Sequence, residues 1–216
     1  MVPLGKEPPE FGCIEFWVDR QPVSLQAKGD KKREFKEFVS VIIKSAGFLL
    51  TGDIEIRIEW HIHEQKRYET DTSADTDNII KPLIDALCGP SGIMIDDNQV
   101  QCITCLWIDS YQYDSEKIKI TIKYFDDEFI SKKGLVFINM GNNLCLPLCE
   151  SNSQIVQNII IDTWQQMFVA KKNLLSQGLD YYGAKGVMPI QRVFHKSRIT
   201  EFKIIELEDK LAQIKS

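Results

Sequence analysis

Between residues 13 and 125, stretches with the apolar spacing of a β-strand alternate with stretches that have the spacing of an amphipathic helix. Apolar side chains at Ile54, Ile56 and Ile58 alternate with charged ones, which predicts a half-buried strand over 53–63. Further strands are predicted over 13–18, 99–108 and 117–125, and helices over 31–46 and 80–87. The resulting order, β-α-β-α-β-β, indicates an α/β (α+β) fold in which helices pack on a mixed sheet.

The pattern changes after residue 126. A strand is predicted over 135–140 and a long helix over 153–177. Residues 199–214 alternate first and then become charged, which indicates a strand followed by a helix. We therefore divide the chain into a core domain over 1–126 and a C-terminal extension over 127–216. The extension would serve for packing, for dimerisation or for binding a partner protein.

The second predicted helix lies within a stretch that is rich in aspartate. Lys81 and Asp85, four residues apart, lie on a common side of this helix. Asp77 or Asn78 is a suitable N-cap, because its side-chain oxygen can accept from the N–H groups of the first turn. Pro82 favours so late a start, since proline is tolerated in the first turn but costs a hydrogen bond deeper in the helix.

Aspartates gather at the start of this helix and at the start of the strand that follows it. Asp75 and Asp77 precede the helix, and Asp96 and Asp97 open the strand. If the two starts meet in space, the carboxylates repel one another strongly unless a cation lies between them. Mg²⁺ takes a few carboxylates, several waters and a substrate phosphate as ligands. The spacing therefore predicts a site for a hard divalent cation.

The same stretch resembles the hallmark of the RusA-type Holliday-junction resolvases, which is D-x-D-N-x-x-K-x-x-x-D-A-L followed after a short gap by D-D-x-Q-V. Every position of that pattern is present, at Asp75, Asp77, Asn78, Lys81, Asp85, Ala86, Leu87, Asp96, Asp97, Gln99 and Val100. The resemblance covers about residues 12–125. It implies a Mg²⁺- or Mn²⁺-dependent endonuclease that acts as a homodimer on branched DNA, such as the four-way junctions of DNA recombination and repair.

The resemblance implies specific roles for the matching residues. Asp75, Asp77 and Asp97 would ligate the metal, and Asp96 would either join them or orient the ligands. Lys81 would stabilise the phosphate or the attacking water. Asn78 and Asp85 would hold these groups in place. Taken singly, the same residues are also explained as a helix cap, an ion pair along a helix and a polar turn.

The formal net charge of −5 argues mildly against a general nucleic-acid binder. Between residues 28 and 44, however, six basic and three acidic side chains leave a local surplus of three positive charges. This run forms either a solvated helix face or a surface that follows DNA phosphates. A polar segment before the aspartates adds two further basic residues. The candidate DNA-binding residues are Lys28, Lys31, Lys32, Arg33, Lys66 and Arg67.

Other metal-ligand patterns are weaker. Cys102 and Cys105, two of six cysteines, lie in a predicted strand, where an odd separation points them to opposite faces and disfavours a zinc site. His61 and His63 would face the same way, but with no third ligand nearby an exposed or substrate-facing pair is favoured. An EF-hand calcium loop that begins at Asp71 is excluded, because its sixth position, where glycine is required, is Thr76.

No apolar run approaches the length needed to cross a bilayer, and the first residues lack the layout of a signal peptide. We therefore expect a cytoplasmic protein with reduced cysteines and no membrane partner. Two other classes of function stay open beside the nuclease. One is a non-cleaving protein that binds branched DNA, and the other is a metal-binding interaction module.

Overall fold

The structure is a computed structural model that describes residues 4–71, 73–188 and 192–215. The chain divides into two compact units, one that extends to Phe129 and one that begins at Ile130. Both units combine helices with β-sheets, and the sheet of the first unit is mixed, which confirms the predicted α+β class.

The N-terminal unit is built on a four-stranded sheet. Its elements are β1 (Cys13–Val18), α1 (Gly29–Ile43), β2 (Phe48–Leu50), β3 (Ile54–Ile62), α2 (Glu64–Glu69), α3 (Thr76–Leu87), β4 (Val100–Asp109) and β5 (Lys117–Lys123). The strand order in the sheet is β1-β5-β3-β4. Only the β3–β4 pair is parallel, because α2 and α3 carry the chain back between these two strands.

One face of this sheet is covered by α1 and α3. Buried and exposed residues alternate strictly along the first half of β3, so its isoleucines and Trp60 face the helices. Helix α1 contributes Phe35 and Val39 to the same core, and α3 contributes Ile79 and Leu83. The opposite face of the sheet carries charged side chains, as the alternation in the sequence predicted.

Three local differences from the predicted elements have clear causes. Helix α1 ends at Ile43 because the chain then forms the short strand β2, whose three residues are all buried. The polar segment after β3 is partly helical, since His63 caps α2 through its Nδ1, which accepts from the N–H of Gln65 at 3.1 Å. Helix α3 begins at Thr76, so Asp75 is its N-cap, and the predicted caps at residues 77 and 78 are wrong.

The early start of α3 places Pro82 inside the helix, where the structure compensates for its missing N–H. A residue at this position would normally donate to the carbonyl of Asn78, four residues earlier. In the structure the N–H of Leu25 donates to that carbonyl instead, at 2.7 Å. The proline therefore makes a backbone acceptor available, and the segment that precedes α1 docks on the first turn of α3.

The second unit has its own sheet and core. After β6 (Phe129–Ser131), which contains the boundary, its elements are β7 (Leu135–Asn139), β8 (Leu144–Cys149), α4 (Gln154–Ser176), α5 (Tyr181–Lys185), β9 (Phe194–His195), β10 (Ile204–Glu206) and α6 (Leu207–Lys215). The strand order is β10-β7-β8-β9. Ile161 and Trp164 of α4 pack on this sheet. The role of this unit stays a prediction.

Strand β8 contains a proline, which hides it in the sequence pattern. Pro147 pairs with Phe137 of β7, whose N–H donates to the carbonyl of Lys203 on its other side at 2.9 Å. Pro147 and Phe137 therefore form a non-hydrogen-bonded pair, and the proline nitrogen faces the side where β9 has already ended.

The second unit depends on a buried ammonium group. Lys210 is 4% exposed, and its Nζ lies 2.7 Å from Glu150 Oε1, while the exposed Lys203 donates to the other oxygen at 3.2 Å. The hydrogen bond from Lys210 holds the pKa of Glu150 below its ordinary value. The stability that Glu150 contributes is thus present at neutral pH and is lost as the pH falls through its folded-state pKa.

We expect Glu150→Ala to lower the unfolding free energy of this unit by about 3 kcal/mol at pH 7, because it leaves a buried ammonium without its partner. Lys203→Ala, which removes an exposed partner, should cost less than about 1 kcal/mol. The urea dependence of amide hydrogen exchange in β7 and β8 measures both effects in this unit. Equal effects of the two substitutions would contradict this account.

Candidate active site

Helix α3 presents a row of charged side chains on its exposed side. Asp77, Lys81 and Asp85 follow one another at intervals of four residues and are exposed, whereas Ile79 and Leu83 are buried against the sheet. Residues at this interval are neighbours on a helix surface, with Cβ atoms about 5–6 Å apart. The amphipathic pattern of the sequence therefore places an acid, a base and an acid in one line.

A third carboxylate reaches this row from the loop that precedes β4. Lys81 Nζ lies 2.6 Å from Asp85 Oδ1 and 2.7 Å from Asp97 Oδ2. Partial burial of the ammonium lowers its pKa, but the hydrogen bonds to the two carboxylates outweigh that effect and hold the pKa of Lys81 above its ordinary value. The lysine is thus a permanent positive charge that joins α3 to the loop.

The loop is held in place by the side-chain amide of Gln99, which is fully buried. Its Oε1 accepts from the N–H groups of Ile95 and Asp96, at 2.8 and 3.0 Å. Its Nε2 donates to the carbonyls of Leu50 and Gly52, both at 2.9 Å. All four hydrogen-bonding positions of the amide are used, so the position of the 95–99 turn is fixed relative to β2.

Asp96 and Asp97 have different surroundings despite being neighbours. Asp96 is 9% exposed, and its side chain accepts from the N–H of Asn98 at 3.3 Å, which caps the short 3-10 helix over Asp97–Gln99. Asp97 is half-buried and points to Lys81. Asp96 therefore orients the turn, and Asp97 is the carboxylate that the turn presents.

The turn that leads back from α3 requires a glycine. The carbonyl of Leu87 accepts from the N–H groups of Ile93 and Met94, at 2.8 and 3.2 Å. A Cβ atom at Gly92 would overlap that carbonyl oxygen. The Gly-Pro-Ser-Gly sequence thus allows the chain to reverse tightly enough to bring the 95–99 turn beside α3.

Asp75 and Asp77 lie at the beginning of α3. Asp75 has the extended backbone of an N-cap residue, but its side chain makes no capping hydrogen bond to the helix. Asp77 belongs to the first turn, and both side chains are exposed. The positive end of the helix dipole favours negative charge at this position. Both carboxylates are therefore accessible at the end of α3 that precedes Lys81.

The cysteine beside this cluster responds to its negative charge. Burial, followed by the charges of Asp97, Asp85 and Asp96, raises the pKa of the Cys88 thiol to about 12. Such a thiol stays protonated at neutral pH and is a poor nucleophile. The cluster therefore has an excess of negative charge even with Lys81 present.

The donor set has the chemistry of a site for a hard divalent cation, since its donors are carboxylates and the Cys88 thiol beside them stays protonated. Within residues 4–71, 73–188 and 192–215, no three side chains of His, Cys, Asp or Glu are arranged closely enough to hold a metal ion. The carboxylates that converge most closely, Asp85 and Asp97, meet on Lys81. Metal ligation by Asp75, Asp77, Asp96 and Asp97 therefore stays a prediction, with the donor chemistry in its favour.

In each of the two weaker metal patterns, the two residues of the pair lie in different surroundings. Cys102 and Cys105 pair with residues that lie on opposite faces of β3, as their odd separation predicted. His61 packs against Trp17, with ring centroids 4.9 Å apart. His63 caps α2 and lies outside β3, so the two histidines do not form a pair on one strand.

The candidate DNA-binding residues have several different partners. Arg33 pairs with Asp30 at 2.7 Å, and Lys32 donates to the carbonyl of Leu25 at 3.2 Å. Lys66 pairs with Glu116 at 3.1 Å, and the Arg67 guanidinium lies over the Trp107 ring. Two of the candidate residues, Lys28 and Lys31, lie at the start of α1 and are exposed. DNA contact by these residues stays a prediction.

The site thus combines surface carboxylates, a permanently charged lysine and a turn that is held by buried hydrogen bonds. Residues 21–123 match the family model described as Endodeoxyribonuclease RusA. This match confirms the resemblance to the RusA endodeoxyribonuclease family. No curated protein matches the chain. The helices of the described residues include none that is long and apolar enough to span a membrane.

Local spacing in the sequence does not reveal two features of the site. The family pattern includes Gln99 but does not indicate that its amide positions the whole turn. Pro82 indicates a late helix start in the sequence, whereas in the structure it provides the acceptor for Leu25. In both cases the partners lie about 50 residues away in the chain, beyond the reach of any local pattern.

We expect Gln99→Ala to destabilise the N-terminal unit by about 3 kcal/mol, because it leaves buried backbone groups without partners. Gln101→Ala, at an exposed position two residues later, should change the unfolding free energy by less than about 1 kcal/mol. Guanidinium denaturation monitored by circular dichroism compares the two variants. A Gln99→Ala protein as stable as the wild type would show that the amide does not hold the turn.

Proposed function

We propose that this protein is a Mg²⁺-dependent endonuclease that nicks branched DNA, such as Holliday junctions, in DNA recombination and repair. The match to the family supports endonuclease activity on such junctions. The observation that carries the proposal is the contact between Asp97 and Lys81, at 2.7 Å, because it brings the 95–99 turn to the helix that bears Asp77.

Four carboxylates would hold the metal or orient its ligands in this proposal: Asp75, Asp77, Asp96 and Asp97. A bound Mg²⁺ or Mn²⁺ ion would activate a water molecule and neutralise charge on the phosphate oxygens. The buried hydrogen bonds of Asp96 and Gln99 make Asp96 the residue that orients the turn rather than a principal ligand. Asp75, Asp77 and Asp97 are then the principal ligands.

Lys81 is the residue that stabilises negative charge on the phosphate. Because its pKa lies above its ordinary value, it stays protonated at neutral pH and does not serve as a general base. Asp85, one turn further along α3, lies 2.6 Å from the ammonium and would keep it oriented if Asp97 bound a metal ion. Asn78 would help to position the first turn of α3, because its carbonyl accepts from the N–H of Leu25 in the segment before α1.

The DNA would be held by local basic groups, since the net charge of the chain is negative. Lys28 and Lys31 lie at the start of α1, and the Leu25–Asn78 bond ties the adjoining segment to α3. This connection supports a DNA path that passes from the start of α1 to the carboxylates. Lys32, Arg33, Lys66 and Arg67 would flank the same path.

A homodimer would supply the two cuts that symmetric resolution of a four-way junction requires. Strand β4 is suited to this role, because it is a ten-residue edge strand without lysine, proline or glycine. Ile103 at its centre is 40% exposed. Such an edge readily pairs with another strand, and pairing with the same strand of a second copy gives a closed two-fold interface.

The activity is tested by incubating the protein with four-way, flap and linear DNA in the presence of Mg²⁺ or EDTA. We expect Mg²⁺-dependent, symmetric nicks near the branch point of the four-way DNA. Asp77→Asn should reduce the rate by about 100-fold or more, since it removes a ligand charge, while junction binding persists. Asp71→Asn, at an exposed position in the preceding loop, is the matched control and should cleave normally.

Three outcomes would count against the proposal. Junction binding without cleavage in either metal would favour a non-cleaving junction-binding protein. Metal binding without any affinity for DNA would favour an interaction module. Uniform cutting of linear duplex would contradict selectivity for branched DNA.

The dimer is tested by sedimentation equilibrium, which should give twice the chain mass of 24.9 kDa. Ile103→Lys should yield a monomer, because it places a charge in the centre of the edge strand. Val41→Lys, at an apolar position on α1 that is 70% exposed, should leave the dimer intact. A monomeric wild-type protein, or a dimer that survives Ile103→Lys, would rule out this interface.

A further inference from the structure

A cavity of about 370 Å³ opens beside the start of α3. Its walls come from the segment 21–24, from Lys31 of α1, and from Ser73 and Ala74, and Trp60 of β3 also lines it. We call it the Trp60 cavity. Its volume lies in the range that small organic ligands occupy in proteins.

The Trp60 cavity adjoins the carboxylates described above. Ala74, in its wall, directly precedes Asp75. The segment 21–24, also in the wall, leads directly to Leu25, whose N–H donates to the Asn78 carbonyl in the first turn of α3 at 2.7 Å. The cavity wall is therefore joined to the start of α3 along the chain and by this hydrogen bond.

The Trp60 indole is a buried donor without a partner. The side chain is 2% exposed, and among the described residues its Nε1–H has no hydrogen-bond acceptor. Its ring is fixed by a stacked contact with Trp107, with centroids 4.5 Å apart and planes inclined by 25°. Buried polar groups are nearly always satisfied by protein or by ordered water, so an unpaired donor in a residue that lines a cavity is a place where a bound molecule can supply the acceptor.

The other polar groups of the cavity carry both signs of charge. Lys31 supplies a cation, Lys66 and Glu116 form an ion pair at 3.1 Å, and Ser24 and Ser73 supply hydroxyl groups. A simple anion site would not include a carboxylate. A nucleotide combines a phosphate with a flat base that carries donors and acceptors, and it matches this set.

We propose that the Trp60 cavity takes up one unpaired nucleotide of the DNA strand next to the site of cleavage, with an acceptor atom of the base on Trp60 Nε1–H. The inference rests on the proposed function. A base that is already unpaired costs least to remove from the helix. The cavity would thus contribute both to the choice of branched DNA and to the choice of base at the cut.

The proposal is tested with nuclear magnetic resonance of the indole N–H groups, because the chain has four tryptophans. The protein is titrated with each of the four deoxynucleoside monophosphates and with inorganic phosphate. We expect one indole resonance, the one that is absent from Trp60→Phe, to move with at least one nucleotide and not with phosphate alone.

Two matched variants separate the role of the N–H from that of packing. Trp60→Phe keeps an aromatic ring but removes the donor, and it should weaken nucleotide binding by roughly 5- to 10-fold. Trp107→Phe alters the ring that stacks on Trp60 but does not line the cavity, so it should leave the affinity within about 2-fold. Equal affinities of both variants and the wild type would overturn the proposal.

The outcomes also distinguish this inference from the proposed function. If junctions are cleaved but the Trp60 resonance does not move with any nucleotide, the cavity does not bind a nucleotide and the nuclease assignment stands. An equal shift with inorganic phosphate alone would likewise overturn the inference. If nucleotides move the resonance but no DNA is cut, the cavity is supported and the nuclease assignment fails.

Discussion

The candidate site depends on one constraint, which is that negative charges that repel one another are held side by side. Asp85 and Asp97 come from different parts of the chain and both contact the ammonium of Lys81, at 2.6 and 2.7 Å. Backbone hydrogen bonds to the buried Gln99 amide hold the turn that carries Asp97. The fixed turn and the Lys81 ammonium together thus hold like charges close to one another, and the ammonium offsets part of their repulsion.

The N-terminal unit positions this cluster through its parallel strand pair. Because β3 and β4 run in the same direction, the connection between them must cross the sheet, and α3 forms that crossover. The topology consequently brings the end of α3 close to the turn before β4, and Asp97 of that turn contacts Lys81 in the middle of the helix. Pro82 adds a second link, since its missing N–H allows Leu25 to bond to Asn78 and closes the wall of the Trp60 cavity. Site and cavity therefore share one structural origin.

The sequence predicts the class of fold and the aspartate-rich stretch because both rest on local patterns. The alternation along β3 and the apolar stripe of α3 determine which faces are buried, and the family pattern identifies the acidic residues. The sequence fails where a partner is distant. Gln99 bonds to Leu50 and Gly52, nearly 50 residues earlier, and Trp60 in a strand pattern is indistinguishable from an ordinary core residue. The arrangement of the carboxylates around a metal depends on side-chain conformations, which spacing alone does not determine.

A crystal structure of the protein grown with Mn²⁺, with the ion located by its anomalous scattering, tests directly whether these carboxylates bind a metal. We expect an ion bonded to Asp97 and to at least one of Asp75 and Asp77, with Lys81 still in contact with Asp85. Crystals with Mn²⁺ present in which no ion binds these carboxylates, and in which Asp97 stays on Lys81, would contradict this expectation.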